Sequence, residues 1–394
     1  MRKIMYFWVI CILIGCSKTK MPSTFLIDPE ALVANKQKIV DGDKALTEAL
    51  TGLEEEAGEV LTLEPFSVTY KTKFPPSGDK HDYMSQAPYY WPDTTKPDGL
   101  PYIRRDGIVN PERNEISDCL NFRAMCYNVR LLAVVYYYTN NSRYATKAVE
   151  LLRVWFLNEA TRMNPHLNYG QGIPGISEGR GVGLIDTRYW PYLVDGIQIL
   201  KACGKLTNAE YDALQVWLRQ FLDWMTTSPL GMDEAKMYNN HGTYYDVQTI
   251  TLSLFTGQHE HAVQIIHDIT KARIESQFTE EGSQPHELER TNSWFYSQMN
   301  LSGFFELARL AENVDIDLWN YVSPGKKSIK GAYRWMLSHA DDQPWEYQQI
   351  TPIDKTIFVQ LAHIATVKYP DVDASAFLET YRDKPDNLFI LTQK

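Results

Sequence analysis

Apolar residues recur with a helical period along most of the chain, and the stretches that break the rhythm are few and long. Residues 29–61 read as helix and end in Glu54-Glu55-Glu56, a triplet that fits a solvated face. Residues 118–138 are apolar and aromatic nearly all round, as a helix buried on every side must be. Residues 143–158 are amphipathic, and 189–203 form a further helix. Thr207 and Glu210 make a capping box. After it Leu214, Trp217, Leu218, Phe221 and Met225 form one core stripe at helical spacing. More helices are expected over 243–256, 259–277, 290–312, 328–339 and 354–368. No segment alternates with period two strongly enough for a major sheet. The pattern predicts an all-α fold, a ring of helical hairpins whose connecting loops form a cleft at one end.

The breaks carry the polar and aromatic chemistry. Residues 64–116 are rich in Pro, Gly, Asp and Tyr and hold His81, Tyr83, Tyr89, Tyr90 and Trp91. An irregular stretch of this length is functional or disordered, and so many aromatics argue against disorder. It is expected to be an ordered loop system facing ligand, with those five side chains as sugar subsites. A Gly-rich loop over 164–187 holds Arg180 and leads to Arg188, two candidates for substrate carboxylates. It is no dinucleotide fingerprint, because the glycine spacing is wrong and no strand precedes it. His259 and His261 have no third ligand in an obvious pattern, so no metal site is expected.

Composition narrows the partners. The chain has 394 residues, 10 Trp, 24 Tyr and a net charge of -10, with no basic run, which argues against nucleic acid. Arg2, Lys3 and the apolar stretch 5–14 precede Leu13-Ile14-Gly15-Cys16, which resembles a bacterial lipoprotein box with Cys16 as the lipidated residue. Residues 1–15 are then a signal peptide, 16–28 a tether, and 29–394 one catalytic domain. The expected location is the periplasm or outer membrane of a Gram-negative bacterium, with the lipid as the only membrane contact. Cys119, Cys126 and Cys203 make no disulfide framework.

Two stretches stand out as candidate chemistry. In the first, Asn239-Asn240-His241-Gly242 sits at an expected helix start, with Tyr244 following. In the second, Arg290 precedes Trp294 and Tyr296. On a continuous helix Arg290 and Tyr296 would not share a line, whereas a break near Arg290 would relax this. Together with Tyr89-Tyr90-Trp91-Pro92-Asp93 and the Gly-x-x-Asp at 183–186, these motifs resemble the alginate-lyase superfamily of polysaccharide lyases. The likeness is to the Bacteroides-type lyases of polysaccharide lyase family 38. It covers most of residues 70–300 and implies an (α/α) toroid, an incomplete helical barrel.

The resemblance implies that Asn240, His241, Arg290 and Tyr296 are catalytic and that the substrate is a 1,4-linked polyuronate. Mannuronate-rich alginate is the first expectation and glucuronan the second. The chemistry needs such groups. A carboxylate beside C5 must be neutralised before the C5 proton can leave, and a base and an acid must move protons. Arg290 is expected to lower the Tyr296 pKa from about 10. Asn239, Tyr244 and Trp294 join the substrate-binding candidates, and the elimination calls for no cofactor. Two other classes stay open. A toroidal glycoside hydrolase would need two carboxylates from Glu178, Asp186, Asp246, Glu287 and Glu289. A glycan-binding lipoprotein would explain the anchor and the aromatics.

Overall fold

The structure, a computed structural model, describes residues 21–340, 344–382 and 386–393. Cys16 and the rest of the expected signal lie outside the described residues. Packing begins earlier than Asp28. Phe25, Leu26 and Ile27 are buried, and their backbone N–H groups donate to the buried Asp195 carboxylate at 2.5–3.1 Å.

Helices α1 (Pro29–Val40) and α2 (Lys44–Val60) divide the expected 29–61 helix at Asp41-Gly42-Asp43. Gly42 takes φ +90° and Asp43 caps α2 through its carboxylate. Helix α3 (Asp118–Thr139) is buried over most of its surface, as its all-round apolar sequence requires. Then follow α4 (Ser142–Leu152), α5 (Trp190–Ala202), α6 (Asn208–Thr227), α7 (Pro229–Ala235) and α8 (Asn240–Phe255). The Thr207–Glu210 capping box is present at the start of α6, and all five residues of its stripe are buried. Helices α9 (His259–Ile265) and α10 (Lys271–Gln277) are joined by a π-helical turn, so the expected 259–277 helix is one element with that turn inside it. The remaining helices are α11 (Pro285–Leu288), α12 (Ser293–Glu312), α13 (Ile329–Ser338), α14 (Thr356–Lys368), α15 (Ser375–Thr380) and α16 (Asn387–Thr392).

Packing divides these helices into two layers. Helices α3, α5, α8 and α12 touch in that order and form the inner row. Helix α4 backs α3, α6 and α9 back α8, and α13 and α14 back α12. Inner and outer helices thus alternate along the chain, which is the (α/α) toroid. Helix α16 returns to pack on α1 and α2. Strand content among the described residues is small. Strand β1 (Met84–Gln86) pairs in parallel with β4 (Tyr169–Gly172), and β2 (Tyr90–Trp91) pairs antiparallel with β3 (Ile103–Arg104). These two pairs order the long irregular stretch and lean it over one end of the ring. No described helix is long and apolar enough to cross a membrane.

Candidate functional site

The N-termini of α8 and α12 open into a cleft of about 760 Å³ shared with the loops around residues 88–113 and 180–189. Asn239 caps α8, its side-chain oxygen accepting from the His241 N–H at 3.2 Å. Asn240 is buried and held from both ends by Glu287. Its backbone N–H donates to one Glu287 oxygen at 2.6 Å, and its Nδ2 donates to the other at 2.8 Å. Burial pushes the Glu287 carboxyl pKa up, and the two bonds from Asn240 oppose that. Nδ2 keeps a second hydrogen, so Asn240 enters the cleft as an oriented donor.

His241 is set by a residue that no motif in the sequence singled out. Its Nδ1 lies 2.7 Å from Oε1 of Glu234, a buried residue of α7. A carboxylate accepts, so Nδ1 carries the hydrogen and Nε2 is the ring nitrogen left for the cleft. Gly242 serves packing rather than ligand approach. A Cβ there would strike the Met237 carbonyl oxygen and the Arg273 guanidinium. Gly242→Ala is therefore expected to cost about 1–3 kcal/mol of stability, read as an earlier midpoint in urea unfolding. An unchanged midpoint would contradict this contact.

Arg290 falls in the short break between α11 and α12, where Asp106 fixes it by two bonds of 3.0 and 3.2 Å. Asp106 also accepts from Arg104 at 2.6 Å and from the Thr291 hydroxyl at 3.0 Å. Burial alone would raise the Asp106 pKa, but bonds and charge from Arg290, helped by Arg104 and Thr291, set it at about 2. The break changes what the helical spacing forbade. The Arg290 guanidinium carbon now lies 3.7 Å from the centre of the Tyr296 ring.

Tyr296 meets Tyr89, hydroxyl to hydroxyl, at 2.5 Å. Burial, reinforced by Tyr89, pushes the Tyr296 phenol above its ordinary value, and Arg290 lowers it by less. The lowering expected from Arg290 is present, and burial outweighs it. Arg290 faces the ring, the hydroxyl end is desolvated, and Tyr296 stands in the free cleft as a protonated phenol.

Tyr90 lines the cleft with the Arg180 guanidinium 5.3 Å from its ring centre. Arg180 donates to the backbone and side-chain oxygens of Gln171 at 2.9 and 3.1 Å. Gln171 in turn donates to Asp186, which also accepts from Tyr83 and Ser85. Arg188 reaches the same cleft. Arg104, Arg113, Arg123, Arg180, Arg188 and Arg290 thus face it against Asp106, Asp186 and Glu289. An acidic chain therefore presents a cationic cleft, since local field outweighs net charge.

Five candidates lie elsewhere. Tyr83, Tyr244 and Trp294 are buried, and each spends its polar atom on a protein acceptor, Asp186, the Met299 carbonyl and the Asp354 carbonyl respectively. They support the site from behind. His81 turns its Nδ1 to the Arg162 carbonyl, and Trp91 donates to the Ile108 carbonyl under the Arg105 guanidinium. Neither lines the cleft. Of the carboxylates proposed for hydrolysis, Asp186, Asp246 and Glu287 are buried and engaged, Asp246 with Arg273 at 2.9 Å. Among the described residues no cluster of potential metal ligands occurs.

Comparison with known proteins shows the family and the fold. The family model for alginate lyases matches residues 67–345. An alginate lyase from Bacteroides ovatus is 35% identical, with a TM-score of 0.90 over 95% of this chain and 100% of that one. Alginate lyase A1-III from Sphingomonas species A1 is 16% identical with a TM-score of 0.54 over 94% and 97%, a likeness of fold. A variant of A1-III complexed with a tetrasaccharide gives 0.57 at 16% identity over 87% of this chain and 90% of its own. No protein of curated function matches the sequence. The chain belongs to the alginate lyase family and is a polysaccharide lyase built on an all-α toroid.

Proposed function

We propose that the protein cleaves 1,4-linked polyuronates by β-elimination at Tyr296, with mannuronate-rich alginate as the first substrate and glucuronan as the second. The observation that carries this reading is the meeting of Tyr296 with Arg290 and Tyr89 in a cleft that also receives Asn240 and His241. Arg290 and the Asn240 amide suit the substrate carboxylate, which accepts charge as the C5 proton leaves. The C5–H pair becomes the second bond between C4 and C5, the C4–O bond breaks, and the departing oxygen takes a proton. No water is consumed.

In β-D-mannuronate and β-D-glucuronate the C5 proton and the C4 oxygen lie on one side. Tyr296 as phenolate takes the proton and then returns it to the leaving oxygen. In α-L-guluronate the two lie on opposite sides. There Nε2 of His241, oriented by Glu234, is the base, and the Tyr296 phenol is the acid. A lipid anchor at Cys16 would hold this activity at a bacterial membrane. Ultraviolet absorbance during incubation with polymannuronate, polyguluronate and glucuronan tests the proposal. A rise from the new C4–C5 double bond is expected. New reducing ends without absorbance would mean hydrolysis and would overturn it.

A further inference from the structure

The cleft arginines are not alike in their partners. Arg104 and Arg290 share Asp106, and Arg180 is tied to Gln171. Arg113, Arg123 and Arg188 have no carboxylate within ion-pair distance among the described residues, although all three line the cleft. The nearby Asp186 carboxylate is turned toward Tyr83, Ser85 and Gln171.

Two of these cations are also brought to one place. The guanidinium of Arg188 lies 4.5 Å, and that of Arg123 5.9 Å, from the centre of the Tyr189 ring. Arg188 donates only to the Ile185 carbonyl, and Arg113 makes only a weak contact to the Cys119 sulfur at 3.4 Å. Both guanidinium groups add to the positive field of this wall of the cleft, and an anion bound there would be favoured by it. A guanidinium presents a planar fork that fits a carboxylate. These residues come from the segment 113–123 and from the turn that leads into α5. The reacting groups come instead from the starts of α8 and α12.

We propose that Arg123 and Arg188 on Tyr189, with Arg113, form a subsite for the carboxylate of a sugar other than the one cleaved. This rests on the polyuronate reading above. It makes the protein a reader of chain length, since a substrate too short to reach this wall forgoes the contact.

The test uses Arg123→Gln and Arg113→Gln proteins, followed by ultraviolet absorbance on oligouronates of increasing length. For chains that reach the subsite, KM is expected to rise about tenfold per arginine removed, the loss of one charge-assisted contact. The kcat is expected to stay within about twofold, since these groups do not touch the reacting atoms. The shortest cleaved oligomer should show the smallest rise in KM. Wild-type KM at every length would overturn the subsite. An equal rise at every length, or a fall in kcat with KM kept, would place the arginines at the cleaved sugar and overturn it equally.

Calorimetric binding of a long oligouronate to the Tyr296→Phe protein, with and without Arg123→Gln, needs no turnover. About tenfold weaker binding in the double variant would support the subsite even if the wild type cleaves no uronan, and equal binding would overturn it. Absence of unsaturated products from the wild type would instead sink the elimination reading.

Discussion

Tyr296→Phe is expected to lower elimination by about 10²–10⁴-fold, the usual worth of a positioned acid–base group, on every uronan the wild type cleaves. The loss should fall on kcat. The Phe ring keeps its place under Arg290, whose position is set by Asp106 rather than by the tyrosine. KM should move little, because Asn240, Arg180 and Arg188 remain in the cleft. Stability should change little as well. The hydroxyl has one partner, Tyr89, and Tyr89 itself faces the cleft and can turn to water. Ultraviolet absorbance under saturating substrate measures the effect, with thermal unfolding as the control for folding. Full turnover by the variant on every polymer would remove Tyr296 from the reaction in both stereochemical versions.

The sequence revealed the fold through its periodicity and the reacting residues through their types, but not the contacts that orient them. The capping box at Thr207, the buried α3 and the Asn239 cap at the start of α8 depend on local spacing, so they were readable. Helix α7 was missed although Ser228 caps it and Pro229 opens it, because seven residues are too few to show a period. Glu234 was lost with it, and so was the reason His241 points as it does. Asp106 and Arg290 are 184 residues apart, and no local pattern joins them. Tyr83, Tyr244 and Trp294 were read as sugar contacts because they stand beside the motifs. On α12, though, Trp294 stands two positions before Tyr296 and so faces another way. Tyr244 lies a turn deeper in α8 than His241 and reaches the Met299 carbonyl, and Tyr83 reaches Asp186, so these rings are buried while Tyr89, His241 and Tyr296 line the cleft.

The protonated state of Tyr296 leads to a second large effect, a dependence on pH that differs between substrates. Burial and Tyr89 hold the phenol pKa above about 10, its ordinary value. At neutral pH the phenolate is therefore scarce, and its fraction grows about tenfold for each unit of pH gained. Where Tyr296 is both base and acid, on mannuronate and glucuronate, kcat/KM should climb by roughly that factor per unit across the neutral range. From pH 6 to pH 8 the gain approaches about a hundredfold. On guluronate Tyr296 enters as the phenol, the form that burial already favours, and this climb should be missing. Initial rates of absorbance on polymannuronate and polyguluronate across that range, at substrate well below KM, separate the two roles. Parallel profiles would mean that one protonation state of Tyr296 serves both polymers. A flat mannuronate profile would mean that the C5 proton goes to another base, leaving His241, oriented by Glu234, as the group to replace next.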